Sequence, residues 1–201
     1  MKAADIKKIR KKMEKTLDAK RFEHTLGVAY TAASLAMRYD EDINRALTAG
    51  LLHDCAKCIS NEKKIAICEK HNIPINEVER ENPFLLHAKV GSYMAMKQFN
   101  IHDQDIINAI LNHTTGRPGM SPLEKIVYIA DYIEPGRKQA PNLHLIRKMA
   151  FENIDQALVK ILGDTLQYLE STGTPIDAMT QKTYDFYILT NKQCANMEEN
   201  L

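Results

Sequence analysis

Apolar residues recur along this chain at intervals of three and four, the spacing that keeps side chains on one face of an α-helix. Ile6, Ile9, Met13 and Leu17 form one such stripe, opposite Lys7, Lys8, Arg10, Lys11 and Lys12. Similar stripes predict helices over about 20 to 38, 42 to 55, 61 to 71, 84 to 98, 104 to 113, 122 to 134, 143 to 151, 154 to 171 and 176 to 196. Strand-like alternation bounded by turns is hard to find. Ser121, Pro122 and Glu124 supply an N-cap, a first-turn proline and a capping-box acid for a helix carrying KIVYIADYIE, which Pro135 and Gly136 stop. Gly116 follows IINAILNH and places His113 in a last helical turn, just before the loop TTGRPGMS. The expected fold is an all-α bundle forming a single domain over residues 1 to 201. Its core spans about 20 to 135, and C-terminal helices over about 142 to 197 pack on it.

Composition narrows what such a bundle does. With 201 residues and 44% hydrophobic content the chain can bury a real core. Lys plus Arg total 27 against 26 Asp plus Glu, so no global field favours nucleic acid or an anionic membrane. The basic face of the first helix reads as a solvated face. Four cysteines, Cys55, Cys58, Cys68 and Cys194, are too few and too unevenly spaced for a disulfide framework, which fits a reducing cytoplasm. Neither a signal peptide nor a membrane span is expected, because no long apolar run follows the charged N-terminus or occurs elsewhere.

The chemistry lies in the order of a few ligand-type residues: His24, then His53 with Asp54, then His87, His113 and Asp131. Each falls within or at the end of a different expected helix, beside apolar neighbours such as Leu51 and Leu52, Leu85 and Leu86, or Ile110 and Leu111. A lone histidine of this kind is ordinarily a core residue bonded to a carbonyl. Four histidines and two aspartates on five helices fit a metal site built in a bundle core. Nitrogen and carboxylate donors without thiolate suit iron, manganese, cobalt, nickel or zinc. If Asp54 bridges, His24, His53 and Asp131 can hold one metal and His87 with His113 another, about 3.5 to 4 Å away, the spacing of two-metal hydrolases in which a bound water is acidified.

The order H…HD…H…H…D resembles the HD-domain superfamily of metal-dependent phosphohydrolases. The stretches RFEHTLGVAYTAASLA, AGLLHDCAK, HAKVGSYMA and HTTGRPGMSPLEKIVYIADYIEPGR are similar to the YqeK family within it, over roughly residues 20 to 190. That resemblance implies a five-helix core holding the metals, iron as the metal, and symmetrical hydrolysis of diadenosine tetraphosphate to two ADP. A nucleotidase or alarmone hydrolase of the same superfamily is the alternative. A non-catalytic nucleotide- or RNA-binding regulator is a third reading, against which the complete ligand set argues. The expected partner is a nucleotide, with no membrane or nucleic acid, and a homodimer is left open.

Phosphate also needs protein cations. Arg21 lies one helical turn before His24, and Lys57 one turn after His53, so each is expected to share a face with its ligand. With Asp54, these two form the expected catalytic set. Arg21, Lys57, Lys89, Arg117 and Arg137, with the hydroxyls of Thr114 and Thr115, are the expected substrate contacts. Cys55-Ala-Lys-Cys58 has CxxC spacing but no βαβ context and no second pair, so both are expected to be reduced thiols packed beside the site. His71, His102 and His144 read as surface histidines, and Tyr184 to Tyr187 (YDFY) as core of the final helix.

Overall fold

A computed structural model describes residues 3–198, with side chains from 5 to 191, and among them there are helices and no strands. The helices are α1 (Ala3–Thr16), α2 (Ala19–Arg38), α3 (Ile43–Leu52), α4 (Asn61–Lys70), α5 (Glu77–Glu81), α6 (His87–Gln98), α7 (Gln104–Asn112), α8 (Pro122–Ile133), α9 (Leu143–Glu152), α10 (Ile154–Thr172) and α11 (Ala178–Glu198). A short 3-10 helix, Pro83–Leu86, leads into α6. The expected 84 to 98 helix is therefore two elements, because Pro83 opens a tighter turn that ends where His87 begins. The five-residue α5 went unseen in the sequence, being too short to show a period. Its start is nevertheless a capping box, Asn76 with Glu79.

Helix starts are fixed by side-chain oxygens that accept otherwise unpaired backbone N–H groups: Asp18 for α2, Asp42 for α3, Asp103 for α7 and Ser121 for α8. Each such cap is worth about 1 kcal/mol. The Ser121–Glu124 box is present as expected, and α8 stops at Ile133, before Pro135. Gly116 takes the left-handed conformation, with φ of 64°.

Helices α2, α3, α6, α7 and α8 pack on one another, and α10 joins α8 to α9 and α11. One continuous cluster of buried side chains runs from Ile9 of α1 to Tyr187 of α11. Within it α2 and α3 cross closely, since a Cβ on Gly50 would stand 2.6 Å from the Ala29 Cα. The small residue at Gly50 thus lets α3 lie tightly on α2, which brings His24 of α2 near the C-terminal end of α3. Arg45 at the start of α3 holds both Asp103 and Asp105 at 2.8 Å, tying α3 to the N-terminus of α7. Of the YDFY run, Tyr187 is buried and Tyr184 half-buried, but Phe186 is exposed, which corrects the core reading at that position. His71, His102 and His144 are on the surface as expected.

Candidate metal centre

Three of the four histidines sit where a helix ends. His53 follows the last residue of α3, His113 follows the last residue of α7, and His87 closes the 3-10 helix. The last turn of a helix leaves carbonyl oxygens without partners. Each ring uses one of them: Nδ1 lies 2.7 Å from the carbonyl three residues earlier, of Gly50, Phe84 and Ile110 respectively. A carbonyl can only accept, so Nδ1 carries the proton in all three rings and Nε2 is left as a lone-pair donor. Helix-end geometry therefore points three imidazoles inward with the same tautomer. His24, in the second turn of α2, instead turns its Nδ1 toward a carboxylate, 3.1 Å from Glu134 Oε1.

The Nε2 atoms meet around Asp54. Its Oδ1 stands 3.2 Å from His87 Nε2 and 3.5 Å from His113 Nε2, and its Oδ2 stands 3.7 Å from His53 Nε2 and 2.9 Å from Arg21 Nη1. Asp54 thus turns a different oxygen toward each side of the cluster. His53 and Asp54 can both face inward because α3 stops at Leu52 and the chain continues in tight turns, with Cys55 N–H bonding Leu52 O. Asp131 of α8 completes the set, its Oδ1 being 3.0 Å from His24 Nε2. His53 and Asp54 are 0% and 2% exposed, whereas the side chains of His24 and Asp131 are 16% and 23% exposed, so the cluster opens to solvent on the α2–α8 side.

The electrostatics show what this arrangement lacks. Burial pushes His53 down to about 4 and, with Lys57 and His113, pushes His87 well below its ordinary value, so both rings are neutral donors. Burial opposes charge on Asp54, but His53, His113 and Lys57 outweigh it and hold the carboxyl well below the usual carboxylate range. Asp131 is likewise lowered against its burial, first by its hydrogen bond with His24. Yet His53 Nε2 and Asp54 Oδ1 are buried with no hydrogen-bond partner. His87 Nε2 and His113 Nε2 face each other at 3.2 Å, and the Lys57 ammonium lies 3.0 Å from His87 Nε2. Orphaned donors converging on a buried carboxylate are what a cation would satisfy. Among the described residues, two groups bring donor atoms within 4.8 Å of one another: His24, His53 and Asp131, and His53, Asp54 and His113. The residues fit a divalent metal.

A cleft of about 1400 Å³ opens onto this cluster, walled by α2 on one side and by residues 134–139 on the other. Arg21, Lys57 and Arg137 line it, with Lys20, Lys138 and Tyr30 farther out. The structure does not bring the other expected substrate contacts there. Lys89 is drawn away by the Pro74 carbonyl and Glu79, both at 2.7 Å. Arg117 is committed to the buried Glu124, which also accepts from Asn112 and the Ser121 N–H. Thr114 and Thr115 do not line the cleft, and the Thr115 hydroxyl donates to the Gly116 carbonyl. The CxxC pair also divides: Cys55 is buried against the Gly91 carbonyl, but Cys58 is exposed and lies against Asp18, so only the first packs inside.

Glu134, which lines the cleft and faces His24 Nδ1, is a residue of this site that the sequence reading missed. The available signal was its place three residues after Asp131, which puts both acids on one face of α8's end. Among the described residues no helix is long and apolar enough to cross a membrane.

Comparison with known proteins gives a family for the chain. The HD domain family matches residues 21–136. The chain is 37% identical over 88% of its length to a symmetrical bis(5'-nucleosyl)-tetraphosphatase of Bacillus subtilis, of which it covers 94%. It is 35% identical over 91% of its length to a protein of the same name from Staphylococcus aureus, again covering 94%. A crystal structure of a predicted HD superfamily hydrolase involved in NAD metabolism from Clostridium acetobutylicum superposes with a TM-score of 0.88 at 41% identity, over 92% of this chain and 97% of that one. The HD-domain match over residues 21–136, together with relatives more than a third identical along most of the chain, shows that the chain belongs to the HD-domain family, beside the symmetrical bis(5'-nucleosyl)-tetraphosphatases.

Proposed function

We propose that the chain hydrolyses dinucleoside tetraphosphates symmetrically, taking diadenosine tetraphosphate to two ADP, as the names of its relatives describe for them. The observation that carries this reading is the set of four imidazole Nε2 atoms converging on Asp54 and Asp131 at the end of a cation-lined cleft. In this reading His24, His53 and Asp131 would hold one metal ion, iron by resemblance, and His87 and His113 would hold a second, with Asp54 available to both. Such ions supply Lewis acidity toward phosphoryl oxygens and lower the pKa of water.

The protein's own groups do the rest. Arg21 and Lys57 lie against Asp54 and His87 at the mouth of the cluster, half-exposed on flexible stems, so a phosphate entering from the cleft can take over their contacts. Arg137 is pinned beside Asp131 by its carbonyl and carboxylate, 2.8 and 2.9 Å away, and adds a fixed charge on the opposite wall. These cations balance the departing nucleoside diphosphate, which leaves as an anion and needs no protein acid. Farther out, Tyr30 is 54% exposed and offers an aromatic face to a base. In this reading the enzyme works in the cytoplasm, where nucleotides of this kind are made. The test is hydrolysis in heavy-oxygen water by purified, metal-loaded protein, with products separated by ion exchange. One heavy oxygen on one of two ADP molecules is expected. ATP and AMP as main products would defeat the symmetrical assignment.

A further inference from the structure

Four imidazoles face the cluster, but they are not held alike. His53, His87 and His113 are wrapped by the core and donate Nδ1–H to neutral backbone carbonyls. His24 has more freedom, being the most exposed of the four, and its Nδ1 faces the carboxylate of Glu134. Glu134 is buried, and its second oxygen accepts the Gly136 N–H at 2.5 Å. Both oxygens are therefore committed on the far side of the His24 ring, and neither faces the cluster.

Space for this carboxylate is built into two elements. A Cβ on Gly27, one turn after His24 in α2, would stand 2.6 Å from Glu134 Oε2, and a Cβ on Gly136 would stand 2.9 Å from the same atom. The backbone around Glu134 is anchored as well, since Arg147 donates to the carbonyls of Ile133, Glu134 and Arg137. A buried carboxylate accommodated by two glycines and aimed at one ligand ring is a costly arrangement unless the ring's orientation and basicity matter.

We infer that Glu134 is a positioning residue for the metal: it fixes the ring plane and Nδ1–H tautomer of His24 and so strengthens metal binding by the group formed by His24, His53 and Asp131. This rests on the reading of the cluster as a metal site. A charged acceptor raises ligand basicity more than the backbone carbonyls behind the other three rings, and loss of such a partner typically lowers metal affinity about 10- to 100-fold.

The experiment is calorimetric titration of metal-stripped protein with manganese(II), together with the visible spectrum of the cobalt(II) form, for wild type, Glu134→Ala and Glu134→Gln. Glu134→Ala is expected to weaken one equivalent of metal about 10- to 100-fold, to leave the remainder unchanged and to shift the cobalt spectrum. Glu134→Gln keeps an acceptor without the charge and should recover part of the loss. Unchanged manganese affinity and an unchanged cobalt spectrum in Glu134→Gln and in folded Glu134→Ala would overturn the inference and leave Glu134 as an anchor for residues 134–137. If Glu134→Ala fails to fold, Glu134→Gln decides alone. Failure of the wild type to bind metal at all would instead sink the metal reading itself.

Discussion

The Nε2 atoms of His87 and His113 stand 3.2 Å apart, each ring donating its Nδ1–H to a backbone carbonyl. Both look toward the same oxygen of Asp54. In the proposed arrangement these two histidines serve a different ion from His24 and Asp131. Replacing either with alanine is therefore expected to lower metal content by a fraction rather than abolish it, while helical circular dichroism is retained. Elemental analysis checks this, and full metal content in both variants would remove the two-ion assignment.

Asp54 stands between both sets, so Asp54→Asn should act on them together. The amide has the same shape but no charge to offset cations, and it puts a donor where two lone-pair acceptors converge. Metal content and turnover should fall in parallel by at least about 100-fold, beyond the usual effect of an outer-shell change. Two metals per chain with near-normal turnover would take Asp54 out of the bridge.

Tyr30→Ala tests the outer cleft. If the ring stacks on a base, KM for diadenosine tetraphosphate should rise about 10-fold or more, the scale of base–aromatic stacking, with metal content unchanged. Inhibition by inorganic tripolyphosphate, which has no base, should not move. Equal weakening toward both ligands would show that the substitution disturbs the phosphate end instead.

The two cysteines of the CxxC spacing should react very differently. Burial, with the nearby Asp54 charge, pushes the Cys55 thiol up to about 12, whereas Cys58 is exposed. Alkylation with iodoacetamide at pH 8, followed by peptide mass mapping, should modify Cys58 and spare Cys55 in the folded protein. A Cys55–Cys58 disulfide in freshly purified protein would contradict this.

Acid should destabilise the metal-free chain. His53 and His87 have depressed values in the fold against an ordinary value of 6.5, so the unfolded chain binds more protons as pH falls. Their contribution is complete above about 6.5 and is lost as pH drops below that value, for His53 down to about 4. His24 acts in the opposite sense, because hydrogen bonds to Asp131 and Glu134 outweigh its burial and raise it, and it offsets part of the loss. The urea midpoint of stripped protein should be lower at pH 4.5 than at pH 7. An unchanged midpoint would mean the two rings are not buried as neutral donors.

The helices and the ligand order were legible because both depend on short-range patterns. Caps such as Ser121 with Glu124 act over three residues, and apolar stripes act over one or two turns. His53, His87 and His113 bond carbonyls only three residues back, so even their inward-facing nitrogen follows from local helix ends. Chain order alone could thus mark the six ligand-type residues.

Which charges reach the cluster was a different matter, since that depends on how a side chain is turned by packing and on which partner it meets. Arg117 follows His113 closely in sequence, yet the buried Glu124 carboxylate requires a counter-charge and claims it. Lys89, two residues after His87, points to Glu79 instead. Glu134 meets His24 across 110 positions of sequence, through the contact of α2 with the end of α8, and no local period carries that relationship. The sequence by itself determined the helices and marked the ligand-type residues of the cluster, because backbone hydrogen bonding and hydrophobic periodicity are local. The tertiary structure alone decided which cations line the cleft and which carboxylate stands behind His24, because buried charges pair with whatever the packed helices bring within reach.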